Sequence, residues 1–163
     1  MIAVGLALGT APAKGADDPL LARLVGEWIG NGEVRLTPKA APERVYCRIV
    51  ATLVEGALIE QKGRCVVASN SRAVNATISA KGDGHYEGTF DAPNIRSTVF
   101  AGTAEGDNLT LSGDFVDTRT KEERKATMTM QIAEAAYRVT TDNAGANDSY
   151  VASNIVFRRK EKP

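Results

Sequence analysis

The residues with the most chemistry in them are two cysteines and one histidine, and their placement limits what they can do. Cys47 and Cys65 stand eighteen positions apart, and His85 follows an Asp83-Gly84 turn signal. Together they leave a tetrahedral metal site one ligand short, so no metal is assigned. A histidine in a hairpin turn with no nucleophile near it reads as a surface residue. The carboxylate pairs Asp114 with Asp117 and Glu122 with Glu123 fall near strand ends and turns, where solvated charge is a better reading than acid–base work. The run KEERK at 121–125 reads as an exposed turn. Three Asn-x-Ser/Thr triplets begin at Asn75, Asn108 and Asn147, as expected by chance in a β protein rich in Asn and Thr. The chain carries no phosphate loop, catalytic triad or metal motif. It reads as a protein that is not an enzyme and has no cofactor.

The cysteines point to a bond. They lie in ERVYCRIVATLVEGALIEQKGRCVVAS, two alternating segments around Glu55-Gly56. With the hairpin centred on Gly56, paired residue numbers sum to 112, and Cys47 and Cys65 satisfy that sum. The same register gathers Cys47, Ile49, Ala51 and Leu53 opposite Ile59, Gln61, Gly63 and Cys65. Tyr46, Arg48, Thr52, Glu60, Lys62 and Arg64 then share the other face. A cross-strand disulfide follows, and such bonds persist in oxidising compartments.

The N-terminal sequence agrees with that compartment. MIAVGLALGTAPA is apolar and ends in small residues, which predicts a signal peptide over residues 1–13 and a single domain over 14–163. Thirteen residues are too few to cross a bilayer as a helix, so no transmembrane segment is expected. A periplasmic or secreted location results. Lys plus Arg and Asp plus Glu are 20 each, so net charge is zero and no field draws the chain to nucleic acid.

The rest of the chain supplies strands. Asp17-Asp18-Pro19 before LLARLV predicts a short capped helical turn. Residues 26–36, 72–80 and 125–133 alternate apolar with polar side chains. HYEGTF follows the Asp83-Gly84 turn. Residues 95–104, LTLSGDFV, YRVTT and SYVASNIVFRR complete nine or ten segments, with a turn about every ten residues. An all-β antiparallel up-and-down barrel of about 8–10 strands removes the edges of such a meander.

The first segment, LVGEWIGNGEV, holds the only tryptophan, Trp28, among Gly26, Gly30 and Gly32. Gly26-Glu27-Trp28 after a helical turn resembles the Gly-x-Trp entry of lipocalins and other calycins. That resemblance implies that Trp28 plugs one end of the barrel and that an arginine of the last strand packs across it. Arg158 is taken as that partner, with Arg159 beside it. The same run is similar to the first strand of nitrobindin-like haem proteins. No late histidine stands where those would place a proximal ligand, and no haem is assigned. A further likeness, over residues 24 to about 115, is to small uncharacterised secreted proteobacterial proteins with a Trp-x-Gly-x-Gly strand and a cysteine pair; it implies no activity.

The function expected is binding of a small apolar ligand inside the barrel. The cavity candidates are Val34, Ile49, Ile59, Ile78, Tyr86, Phe90, Leu111, Phe115 and Met130, all on inward-facing positions. Two alternatives stand beside it. One is a protein-binding module, such as an envelope protease or lysozyme inhibitor, acting through Lys14–Pro19 or the loop Asp142–Asp148. The other is a structural envelope protein.

Overall fold

A computed structural model describes residues 17–92 and 95–161. The expected signal peptide lies outside the described residues. One helix, α1 (Pro19–Leu24), precedes ten strands: β1 (Gly26–Val34), β2 (Glu43–Val54), β3 (Leu58–Val67), β4 (Asn70–Gly82), β5 (His85–Ala92), β6 (Ile95–Glu105), β7 (Asn108–Val116), β8 (Glu123–Ile132), β9 (Ala136–Ala144) and β10 (Ser149–Arg159). Each strand pairs antiparallel with its neighbours in sequence, and β1 closes on β10, so the sheet is a closed barrel.

The turns explain the registers. Asp83 and Gly84 sit between the paired Gly82 and His85 and take φ of 52° and 73°. Positive φ at both central residues matches the twist of flanking strands. Ala68 and Ser69 do the same between Val67 and Asn70, with no glycine in the turn. Between β2 and β3 the turn sets Val54 opposite Leu58, and the alternation then places Cys47 opposite Cys65. Those two form the expected disulfide, with Cα atoms 4.1 Å apart. The β6–β7 register runs from Ala101↔Ser112 to Glu105↔Asn108, while that of β7 with β8 continues to Val116.

Alternation along every strand sends one set of side chains inward. The resulting core runs from Leu20, Leu21 and Leu24 of α1 through Trp28, Ile59 and Leu109 to Met130, Tyr137 and Phe157. α1 is set across one end of the barrel by polar ties. Asp18 caps it by accepting from the Leu20 and Leu21 amides at 3.0 and 2.9 Å, and donates its own N–H to the Gly56 carbonyl. Arg23 reaches the Ile132 carbonyl and the Asp107 carboxylate across the same end of the barrel. A six-residue helix has little stability of its own. Its position comes from three buried leucines and these anchors.

The glycines of β1 allow close approach. A Cβ on Gly32 would strike the Asn154 carbonyl of β10, and one on Gly30 would lie 2.5–3.0 Å from the Phe157 ring. The strand therefore carries its largest side chain at the plugged end and no inward side chain at the next two inward positions, where β10 presses in.

Candidate functional site

The plugged end is built around Trp28, which is 1% exposed. Its indole Nε1 donates to the Leu24 carbonyl at 2.8 Å, fastening the end of α1 to the start of β1. The Tyr137 ring meets it edge-on at 4.8 Å, and Phe157 stacks on Tyr137 at 4.6 Å and 11°. The arginine over the indole is Arg159, its guanidinium 4.3 Å from the ring centre, and not Arg158 as expected. The register gives the reason. Trp28 pairs with Arg159, whereas Arg158 pairs with Ile29 and shares its outward face. Arg159 also donates to the carbonyls of Arg23, Val25 and Glu134, so one cation ties α1, β1 and the turn before β9 together.

Above this plug lies an interior cavity of about 120 Å³. Among the expected residues, Ile49, Ile78, Phe90, Leu111 and Met130 line it. The other four do not, and what surrounds each accounts for it. Ile59 is fully buried and pairs with Leu53 beside the β2–β3 turn, at the level of the helix. Tyr86 is spent on the plug, its hydroxyl donating to Asp18 at 3.0 Å. Burial above all, and then that hydrogen bond and the Asp18 charge, push the Tyr86 hydroxyl up to about 12. Phe115 and Val34 stand near the far end of their strands and are not part of the wall.

Residues not named beforehand complete the wall. They include Val74, Phe100, Met128, Val139, Ile155 and Phe157, together with both sulfurs' residues, Cys47 and Cys65. Val74, Met128 and the two cysteines stand on the inward parity of segments whose alternation was legible. Phe100 shares a face with Gly88, its partner on β5. The polar members are few: the wall holds Gln61, Tyr137, Thr141 and Ser153, with Thr77 and Thr89. Thr77 and Thr89 satisfy each other across β4 and β5 at 2.7 Å. Tyr137 keeps its proton far into the alkaline range because of burial, slightly offset by the neighbouring Gln61 side chain.

The end opposite the plug is charged and laced. Arg124, read from KEERK as part of an exposed turn, lies on the inward face of β8 and is buried. It ion-pairs with Asp148 and with Glu122, and lies over the Tyr150 ring at 5.4 Å. The hydrogen bond that Arg124 donates to the Asp148 carboxylate leads the effects that raise the Arg124 pKa. Asp117, expected to be solvated, is also buried. Burial works against its carboxylate, but hydrogen bonds from the backbone and side chain of Arg119 outweigh that and hold its pKa below the ordinary value. Arg119 and Tyr150 both donate to the Leu36 carbonyl, at 2.6 and 3.3 Å. Asp114 and Glu122 are exposed, as expected, and so is His85, at the plugged end and on the outer face.

Among the described residues three buried side-chain polar atoms have no hydrogen-bond partner: Gln61 Nε2, Arg124 Nε and Asn143 Oδ1. All three belong to inward-facing positions, and only Gln61 is in the cavity wall. In shape the arrangement is a receptacle: a floor of stacked aromatics, a mostly apolar wall that includes the disulfide, and a charged rim.

No protein-family model matches the chain, and no curated protein does. Solved structures do. Rv2717c from M. tuberculosis is similar with a TM-score of 0.70 at 15% identity, over 89% of this chain and 99% of that one. At that identity the likeness is one of fold, and it shows that this ten-stranded barrel is an architecture found in a solved protein.

Proposed function

We propose that this protein is a non-enzymatic binding protein, periplasmic or secreted, that holds one small apolar molecule inside its barrel. The observation that carries the reading is the cavity itself. Strand number sets barrel width, and about eight strands already give an interior that side chains can fill; ten strands here leave about 120 Å³ unfilled. A core with no such use would close that space, because an unfilled apolar void costs stability in proportion to its volume. The size also bounds the occupant. A cavity of about 150 Å³ lined by apolar side chains admits benzene, so the somewhat smaller space here fits a molecule of about benzene's size. The disulfide supports the oxidising compartment. The Trp28–Arg159 stack supports the calycin-like reading.

The protein-binding alternative has less support. The loop expected to serve it is shorter than Asp142–Asp148, because β9 runs to Ala144. What remains is held down by Asp148 on Arg124 and by the Gly145 amide on the Asp148 carbonyl.

Thermal unfolding with millimolar benzene tests the interior reading. Binding to the native state alone raises Tm, and Ala76→Leu, which fills the wall, should abolish the rise. An unchanged Tm in the wild-type protein across that range would defeat it.

A further inference from the structure

We infer that the molecule held in the barrel carries a hydrogen-bond acceptor, a carbonyl or ether oxygen, that docks on the side-chain amide of Gln61. This deepens the interior-binding reading and rests on it.

Four observations converge. Gln61 lies on the inward face of β3, opposite Ala51 on one side and Ala76 on the other, so two small neighbours leave its amide room to reach the cavity. Its amide nitrogen is buried and meets no protein acceptor in hydrogen-bonding geometry, although the Tyr137 hydroxyl stands beside it. Apart from Tyr137, the wall about it is mostly apolar and includes Ile49, Ile78 and Phe157, which have no acceptor side chain. The other two unpartnered atoms are outside the cavity wall, one on Arg124, which is held in the ion pairs of the rim, and one on Asn143, whose amide nitrogen donates to Tyr150.

A buried amide without a partner is unfavourable, and native structures carry few of them. Leucine or methionine would fill the same wall without that penalty. A ligand acceptor removes it, and in doing so fixes which end of the ligand faces the aromatic floor. The occupant is therefore a small amphipathic molecule: a hydrocarbon body against Ile78, Leu111 and Met130, with one oxygen directed at Gln61. An acceptor is specified rather than a second donor, because the amide hydrogens are the atoms left unmatched.

Two probes of nearly equal size separate this from a plain apolar pocket. Toluene and benzaldehyde differ in a methyl against an aldehyde. Both are titrated by ligand-observed NMR into the wild-type protein and into Gln61→Leu, with Gln61→Met as a second variant should the first fold poorly. With Gln61 as the docking group, benzaldehyde binds roughly two- to tenfold more tightly than toluene. The Gln61 side-chain amide signals shift with benzaldehyde and not with toluene. In either variant the order reverses, since an acceptor stripped of water with no donor to meet it is disfavoured roughly ten- to hundredfold. Toluene favoured already in the wild-type protein would overturn the assignment of Gln61 and leave the interior site standing. The same holds if the preference for benzaldehyde survives in both variants, because the acceptor is then held elsewhere. Binding of neither probe would overturn the interior site and this inference together.

Discussion

Trp28→Ala is the perturbation with the largest calculable consequence. A buried tryptophan removes about 150–250 Å² from water, which at about 25 cal/mol per Å² is a gross gain of roughly 4–6 kcal/mol. Three directed contacts add to it: the Nε1 bond to Leu24, the edge-on Tyr137 and the guanidinium of Arg159. Each is worth about 1 kcal/mol, and they are not additive, because one ring makes all three. Some burial survives at the alanine, and the leucines of α1 can relax into the space. The expected loss is about 3–5 kcal/mol, a large share of the roughly 5–15 kcal/mol by which a domain is stable. Trp28→Phe should cost less, about 1–3 kcal/mol, since a ring still fills the floor while the Leu24 carbonyl loses its donor. Urea titration by far-ultraviolet circular dichroism measures both, with the slope m compared to confirm an unchanged transition. A loss below about 1 kcal/mol for the alanine variant would refute the plug, because no buried indole with three directed contacts is that cheap to remove.

Other outcomes follow from the same geometry. Replacing Cys47 and Cys65 together by alanine should lower stability by about 3 kcal/mol, and alkylation of the native wild-type protein without reductant should label no cysteine; two labelled thiols would contradict the bond. The Tyr86 hydroxyl is pushed up to about 12, so the native state keeps a proton that the unfolded chain releases near pH 10. That contribution is intact below pH 10 and is lost as pH rises through 12. Tyr86→Phe should flatten the alkaline loss by up to about 2–3 kcal/mol, at about 1.4 kcal/mol per pH unit; an unchanged slope in urea titrations from pH 9 upward would dismiss the assignment. Gly30→Ala sets a methyl 2.5–3.0 Å from the Phe157 ring. It should cost about 1–3 kcal/mol and weaken benzene binding by displacing a wall residue, and calorimetry showing wild-type affinity would disprove that coupling.

Much of the frame was legible because a barrel repeats two rules, alternation and tight turns. The sum of 112 fixed the β2–β3 register through the Val54–Leu58 closure, and the cysteines fell opposite each other as a result. Asp18 before Pro19 announced the helix cap. What alternation cannot encode is which inward side chains line the cavity. Ile59 and Ile78 share an inward parity and are direct cross-strand partners, yet only Ile78 lines the cavity, while Ile59 is fully buried beside the β2–β3 turn. Arg158 and Arg159 differ by one residue, and only the pairing of β10 with Trp28 tells which faces the indole. Arg124 was hidden by its company. Its parity with Ala126, Met128 and Met130 pointed inward, but a run of five charged residues outweighed that signal. Gln61 stood on the apolar face of the hairpin from the start; what it lacks, an acceptor, is visible only once its neighbours are placed.

Every pairing in this barrel is a hairpin between consecutive strands except one, β1 with β10. That single closure brings residues more than a hundred positions apart side by side: the Lys160 amide donates to the Glu27 carbonyl at 2.8 Å, and their side chains form an ion pair at 2.8 Å. Nine local events can therefore proceed without long loops to close, and the entropy of a long loop is concentrated in the tenth. Trp28, Arg159 and α1 all belong to that step, so the receptacle gains its floor only when the two ends of the sheet meet. The same adjacency makes the order of strands a matter of where the chain is cut. Joining the two ends beside the plug and opening the Ala68–Ser69 turn would keep each neighbour and register, while turning the most distant contact of the molecule into one more hairpin.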